Sequence, residues 1–371
     1  MNKEFDIIEK YFSFSKATRE VPITVGDDCA IFTPPFDHTH IATSADLLIE
    51  GQHFFSDVNP RNLGHKALAV NLSDLAAMGA EPIGCLLSLA LPSIDELWIA
   101  KFSEGFKALS EKYMCPLIGG DLSKSKMGII INVTVFGGLN VNFRRSATSA
   151  FMTRAGAHAG DDIWVSGNLG KAHLAYTTRR DNPDDLAKYA MIYEALELPE
   201  PRIDLGKSLI RRANSCIDIS DGLVQDLGHI MKSSKKTAEI HLEKIPYDKN
   251  LEKQFSKEQI REAILSGGDC YELCFTAPQE NRAIIESLSN SLQLKLTRIG
   301  EVSWRYNNDK LKREREKSRR DLRNIFGKQN YYVDSAPITP IPSSLSKPRP
   351  PVEVYENGEL IEVPNGGFQH F

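Results

Sequence analysis

Apolar residues along this chain fall into two periods, and the switches between them outline its elements. Short aliphatic and β-branched runs, HIATSADLLI, IGCLLSLALP and MGIIINVTVFGG, read as strands. Between them lie the longer patterns NPRNLGHKALAVNLSDLAAMG and SIDELWIAKFSEGFKALSEKYM, which read as helices. In the second helix Ser93 stands as N-cap with Glu96 three residues on, and Leu97, Phe102, Phe106 and Leu109 are expected on the apolar face. This interspersion over residues 1–145 predicts an α+β domain with helices on one face of a mixed sheet.

A second α+β domain is expected over residues 146–302, where AGDDI turns into the strand IWVSG. Helical stretches follow around 185–196 and 202–213, then a DISDGL turn leading into a helix, and the strands AEIHL and YELCFTA. Residues 303–350 differ in kind: a dense, mostly basic charge run gives way to the Pro- and Ser-rich SAPITPIPSSLSKPRPP, an insertion with the character of a solvated helix and an extended linker. The remainder, 351–371, holds two alternating runs around Asn357-Gly358, a hairpin signal, and ends in NGGFQHF.

With 371 residues and 41% apolar content the chain can build two ordinary cores, and a net charge of −4 gives no reason to expect nucleic-acid binding. The start, MNKEFDIIEKYF, lacks the apolar core of a signal peptide and no run reaches membrane-span length, so a cytoplasmic protein is expected. Six cysteines without a C-x-x-C pair read as small buried hydrophobes rather than as a zinc site or disulfide framework.

The chemistry lies in six aspartate-bearing segments, read as turns at strand ends: ITVGDDCAIF, IATSADLL, AVNLSDLAAMG, PLIGGDLS, CIDISDGL and LSGGDCYEL. A lone Asp in a turn usually caps a helix or makes an Asx-turn, but six with one grammar point to carboxylates that cations hold together. Magnesium is the cation expected, because it takes hard oxygen ligands from a few carboxylates plus substrate phosphates. Bringing two phosphates together is opposed by about 4 kcal/mol per unit-charge pair at 4 Å and an effective dielectric of 20, and metal ions reverse that sign. Other phosphate-handling motifs fail. Gly206-Lys207-Ser208 resembles the end of a P-loop, but Pro201 stands where the loop's first glycine is required. Neither a protein-kinase signature, a G-x-S-x-G elbow nor an H-E-x-x-H helix is present.

GDDCA, the Ser44-x-Asp46 segment with Gly51-x-His53-Phe54, NLSDLAAMGAEP, IGGD, TRAGAHAGD, DISDGL, GGDCYEL and the terminal G-F-x-H-F together resemble the thiamine-monophosphate kinase family. That family sits in the superfamily of aminoimidazole ribonucleotide synthetase and selenophosphate synthetase. The likeness covers residues 3–302 and 352–371. It implies an α+β, two-domain aminoimidazole ribonucleotide synthetase-like fold whose N-terminal mixed sheets form a barrel in a homodimer and whose C-terminal domain is an α/β sandwich. It also implies transfer of the ATP γ-phosphate to thiamine monophosphate, giving thiamine diphosphate. By position, the resemblance assigns Asp28, Ser44, Ala45, Asp46, Asp74, Asp121, Asp218 and Asp221 to several Mg²⁺ ions, and Gly120, Asp121, Arg154 and Ser220 to ATP. His53, Asp269, Asn365 and Phe368 fall at substrate-contact positions, with the C-terminal tail closing over thiamine. An acceptor phosphate with a second pKa near 6 is largely ionised at neutral pH, so no general base is required.

The chain departs from the family at Ala45, where Thr is frequent, and at Asp269-Cys270, where the pattern reads Glu-Asp. Asn365 stands about where some members carry an aromatic. Two other readings therefore stand beside the kinase: another ATP-using synthetase of the superfamily, and a nucleotide–metal-binding protein without turnover. Taken singly, the residues have bland roles as well. His53 would be structural, Arg154 a surface charge, Phe368 a docking residue of the tail, and Ser220 the cap of the helix that follows.

Overall fold

The computed structural model describes residues 23, 27, 29–32, 39–140, 151–304 and 350–363. Asp28, Asn365, Phe368 and nearly all of the charged insertion lie outside them. The described elements run β1 (Ala30–Phe32), β2 (Thr39–Ile49), α1 (Pro60–Met78), β3 (Glu81–Leu91), α2 (Glu96–Lys112), β4 (Leu117–Lys124) and β5 (Ile130–Asn140). The second half runs β6 (Asp162–Ser166), α3 (Lys171–Asp181), α4 (Leu186–Ala190), α5 (Glu194–Glu197), α6 (Ile203–Leu209), β7 (Ser215–Asp218), α7 (Leu223–Ser234) and β8 (Lys236–His241). It closes with α8 (Lys257–Ser266), β9 (Leu273–Ala277), α9 (Arg282–Ser291), β10 (Leu296–Trp304), β11 (Val352–Glu356) and β12 (Glu359–Ile361).

Two mixed sheets carry the architecture. The first has five strands in the order β1-β2-β5-β3-β4, and the second has seven, β12-β11-β8-β10-β6-β9-β7. All pairings are antiparallel except β3 with β4 and β11 with β8. The Asn357-Gly358 hairpin forms as its sequence demands, with φ of 51° and 86° at the two turn residues. Its first strand extends the second sheet along β8.

Helix α1 is the hinge of the layout. Asn59 caps it by accepting from the Arg61 N–H, Pro60 opens it, and Gly79 closes it in the left-handed conformation at φ 73°. It is buried along nearly all of its length because β2 and β5 cover one side, α2 a second, and α6 and β7 a third. The crossing with α2 is close: a Cβ on Gly64 would meet the Phe102 carbonyl oxygen at 2.0 Å, and one on Gly105 would meet that of Arg61 at 1.8 Å. The glycine of the failed P-loop has a similar explanation, since a Cβ on Gly206 would lie 2.0 Å from the Ala76 carbonyl oxygen.

One core cluster joins the first sheet, α1 and α2 to one face of the second sheet, through residues such as Leu72, Phe102, Trp164 and Phe275. The other face of that sheet packs on α3, α7 and α8. Strands β6 and β9 are consequently buried throughout.

Some local expectations need correction. The cap of α2 is Asp95, which accepts from the Leu97 and Trp98 N–H groups, rather than Ser93. With the first turn starting at Glu96, Leu97 rotates to solvent and is 78% exposed, while Phe102, Phe106 and Leu109 are buried as expected. The turn grammar fails for half of the aspartate segments: Asp46 lies within β2, Asp74 within α1 and Asp121 within β4. In these three the small residues around the Asp serve close packing and pairing rather than chain reversal. All six cysteines are free thiols, and only Cys270 is not fully buried.

Candidate active site

Strand β2 alternates, so Ala42, Ser44, Asp46 and Leu48 face α1 whereas Ala45 and Leu47 point to the opposite side. Ser44 Oγ donates to Asp74 Oδ2 at 2.6 Å, tying the strand to the helix. The Asp46 N–H donates to Asn71 Oδ1 at 2.9 Å and its carbonyl accepts from Asn132 Nδ2 at 3.0 Å, which fixes the backbone that presents the Asp46 carboxylate.

From the second sheet, β7 ends in Asp218, whose Oδ2 accepts from Ser73 Oγ at 2.7 Å. The following turn is held from below by Asp226, whose Oδ2 accepts from the Asp221 and Gly222 N–H groups at 3.1 and 3.0 Å. Burial, with the nearby charges of Asp221 and Asp218, pushes the Asp226 carboxyl well above the usual carboxylate range. Ser220 does not cap α7; no side chain caps that helix at Gly222.

The Asp269 segment is braced by its backbone and by an ion pair behind it. The N–H groups of Asp269 and Tyr271 donate to the Ser220 and Ile219 carbonyls, both at 2.8 Å. These two residues hold positive φ of 58° and 52°, an unfavourable conformation for non-glycine residues that this bracing enforces. Behind them Glu272 is buried, accepts from Ser166 Oγ, and is forked by the Arg202 guanidinium with Nε to Oε2 at 2.8 Å and Nη2 to Oε1 at 2.5 Å.

These pieces converge. Asp46, Asp74, Asp218, Asp221 and Asp269 line a single cavity of about 120 Å³ together with His53, Ser220 and Tyr271. His53 accepts from the Ile49 N–H at Nδ1 at 2.9 Å, so a neutral ring carries its proton on Nε2. Burial, reinforced by the Asp269 charge, raises the Tyr271 phenol, which donates to Asp269 Oδ1 at 3.1 Å. Among the described residues no group of three or more His, Cys, Asp or Glu side chains is gathered closely enough to hold a metal ion by itself. An open set of carboxylate oxygens is the arrangement that suits Mg²⁺ completed by phosphates and water.

Other expected site residues lie elsewhere. Asp121 pairs with Ser88, Ser88 with Asn132, and Asn132 with Leu47, so Asp121 shares the sheet face of Leu47, opposite to Asp46. There it accepts from Ser123 Oγ at 2.6 Å. Gly120 also lies in this exposed edge strand, and its φ of 152° and a Cβ contact of 1.8 Å with the Leu87 carbonyl explain why it is glycine. Arg154 lies in the loop before β6, with its N–H 3.3 and 3.4 Å from the Asp27 carboxylate oxygens. Cys270 does not line the cavity and packs against the second core, where burial pushes its thiol up.

Sequence reasoning missed Lys66, Asn71, Ser73, Tyr271 and the Arg202–Glu272 pair. Lys66, Val70 and Asp74 recur at intervals of four on α1, which places a lysine and an aspartate on one stripe of a helix otherwise rich in apolar residues. That spacing was the available signal. The Arg202–Glu272 contact spans 70 residues and had none.

Residues 26–139 match the N-terminal domain, and residues 158–307 the C-terminal domain, of AIR synthase related proteins. The fold and the cavity between its two sheets therefore define a two-domain protein of that class. Within it, the chain belongs to the thiamine-monophosphate kinase family. It is 40% identical over 303 residues to the thiamine-monophosphate kinase of Escherichia coli strain K12, covering 81% of this chain and 90% of the relative. Identity to the Haemophilus influenzae kinase is 36% over 302 residues, covering 81% and 89%. The crystal structure of the kinase from Stenotrophomonas maltophilia K279a superposes with a TM-score of 0.68 at 36% identity, covering 81% of this chain and 94% of that one. The structure of AaThiL complexed with AMPPCP and TMP superposes with a TM-score of 0.72 at 27% identity, covering 99% and 96%.

Proposed function

We infer that this chain transfers the terminal phosphate of ATP to thiamine monophosphate, giving thiamine diphosphate and ADP. The observation that carries the reading is the convergence of five aspartates from both halves of the chain, with His53 and Ser220, on one cavity. Relatives that are 40% and 36% identical to this chain are named for that activity.

The donor set fits magnesium, since five carboxylates line the cavity and its other polar side chains are His53, Ser220 and Tyr271. Asp46, Asp74, Asp218 and Asp221 would hold the ions and Ser44 would orient Asp74; the assignment of Asp28 to the ions rests on the resemblance alone. When bound, the ions would neutralise the phosphate oxygens and favour direct in-line transfer between them. Ala45 turns its methyl to the other sheet face, so its contribution would be a carbonyl oxygen. Ser220, His53 and Asp269 would contact the two phosphate-bearing substrates from the cavity wall. The assignment of Gly120, Asp121 and Arg154 to ATP, and of Asn365 and Phe368 to thiamine, rests on the resemblance alone.

A cytoplasmic homodimer is the form we favour. Leu47, Ile83, Leu117, Ile118 and Leu122 are exposed apolar side chains of the first sheet, and β4 is an exposed edge, which supports pairing with a second copy. No helix among the described residues is long and apolar enough to cross a membrane. Incubation with ATP, Mg²⁺ and thiamine monophosphate tests the reading: ADP and thiamine diphosphate should appear in equal amounts, and ADP without the diphosphate would refute it.

A further inference from the structure

A second cavity, of about 270 Å³, adjoins the acidic one and shares His53 with it. Its walls are largely apolar and aromatic: Phe55 stacks on Tyr176 with centroids 5.8 Å apart and planes at 26°. Lys66, Arg180 and Glu197 also line it, and Arg180 is engaged by the Asp181 carboxylate. At 4% exposure, Lys66 is the only buried lysine or arginine among the described residues. Its Nζ lies 3.2 Å from Asp269 Oδ1, on the wall of the acidic cavity, and 3.4 Å from the His53 carbonyl oxygen. The ammonium thus stands at the boundary between an aromatic chamber and a nest of carboxylates.

Burying a cation is unfavourable unless its partners compensate, and here one carboxylate and one long carbonyl contact use two of three ammonium protons. An acceptor that carries an organic ring and a phosphate matches this boundary: the ring suits the apolar chamber and the phosphate meets the cation beside the aspartates. We propose that Lys66 binds the acceptor's phosphate and is the residue by which this site distinguishes a phosphorylated acceptor from its unphosphorylated form. The inference rests on the acceptor reading given above. Lys66 moves no proton in it; its charge attracts and orients the phosphate, and Asp269 holds the ammonium in place.

The test is the ratio of affinities for thiamine monophosphate and free thiamine, by calorimetry on the full chain with Mg²⁺ and a non-hydrolysable ATP analogue. Wild type should prefer the monophosphate. Lys66→Met should lower that preference by about 10- to 100-fold, the worth of a charge-assisted hydrogen bond, through loss of monophosphate affinity alone. Lys66→Arg should retain most of it. If Lys66→Met does not fold, K66M/D269N compared with D269N removes the stranded carboxylate and gives the same ratio. An unchanged ratio, or equal weakening of both acceptors, would overturn the role of Lys66 while leaving the kinase reading intact. Failure of wild type to bind the monophosphate would overturn both.

Discussion

Ser73 on α1 donates a 2.7 Å hydrogen bond to Asp218 at the end of β7, joining two residues 145 positions apart and tying the helix to the second sheet. Both are buried, so the bond orients a carboxylate of the acidic cavity and locks the halves that form it. Replacing Ser73 by Ala leaves a buried carboxylate short of a donor and should lower unfolding stability by about 1–3 kcal/mol. Urea denaturation checks this, and a wild-type midpoint with an unchanged slope would show that the bond contributes nothing.

Asp46→Asn should abolish turnover, with kcat falling by at least about 100-fold, and leave the fold intact. The Asp46 backbone is fixed by Asn71 and Asn132, so the side chain can lose its charge without releasing the strand. Circular dichroism and a thermal melt establish folding; activity near wild type would remove Asp46 from the metal set.

Cys270 departs from the family pattern without entering the cavity. Cys270→Asp should therefore change kcat by less than about threefold, because the residue packs on the second core instead of facing the phosphates. A large gain from near-zero activity would mean that the natural chain is a lapsed enzyme.

Away from the site, Asp162 is fully buried and meets Arg282 at 2.5 and 2.7 Å and Arg298 at 3.2 Å. Burial raises its pKa, but the two guanidiniums outweigh that and hold the carboxyl below the usual range. A lowered folded-state pKa contributes stability that is present above the unfolded value of about 3.9 and is lost as pH falls through the folded value. Asp162→Asn should lower the melting temperature at pH 7 by roughly 2–6 °C, with the gap closing below about pH 4. A gap that widens in acid would reverse the sign of this account.

Much of the fold was legible where local chemistry decides it. Asn357-Gly358 needs two positive φ values and obtains them, and the aliphatic runs became β2, β3 and β5. Asp218 and Asp221 were read correctly as a strand end leading to a helix. Asp46 and Asp74 were assigned to the site and both line the acidic cavity, but they were given the wrong local structure, because a Gly/Ser-Asp pattern is the same in a turn, a strand and a tightly packed helix. Asp121 was grouped with them by motif, yet strand pairing puts it on the other sheet face. Lys66 and the Arg202–Glu272 fork emerge only when distant segments meet, and the Ser93 cap failed because Asp95 competes for the same N–H groups.

The most direct test of the central claim compares acceptors: ATP and Mg²⁺ are supplied with thiamine monophosphate in one reaction and free thiamine in another, and phosphorylated product is quantified. The account predicts thiamine diphosphate from the monophosphate and no phosphorylation of free thiamine. Phosphorylation of free thiamine, or no product from the monophosphate, would contradict it.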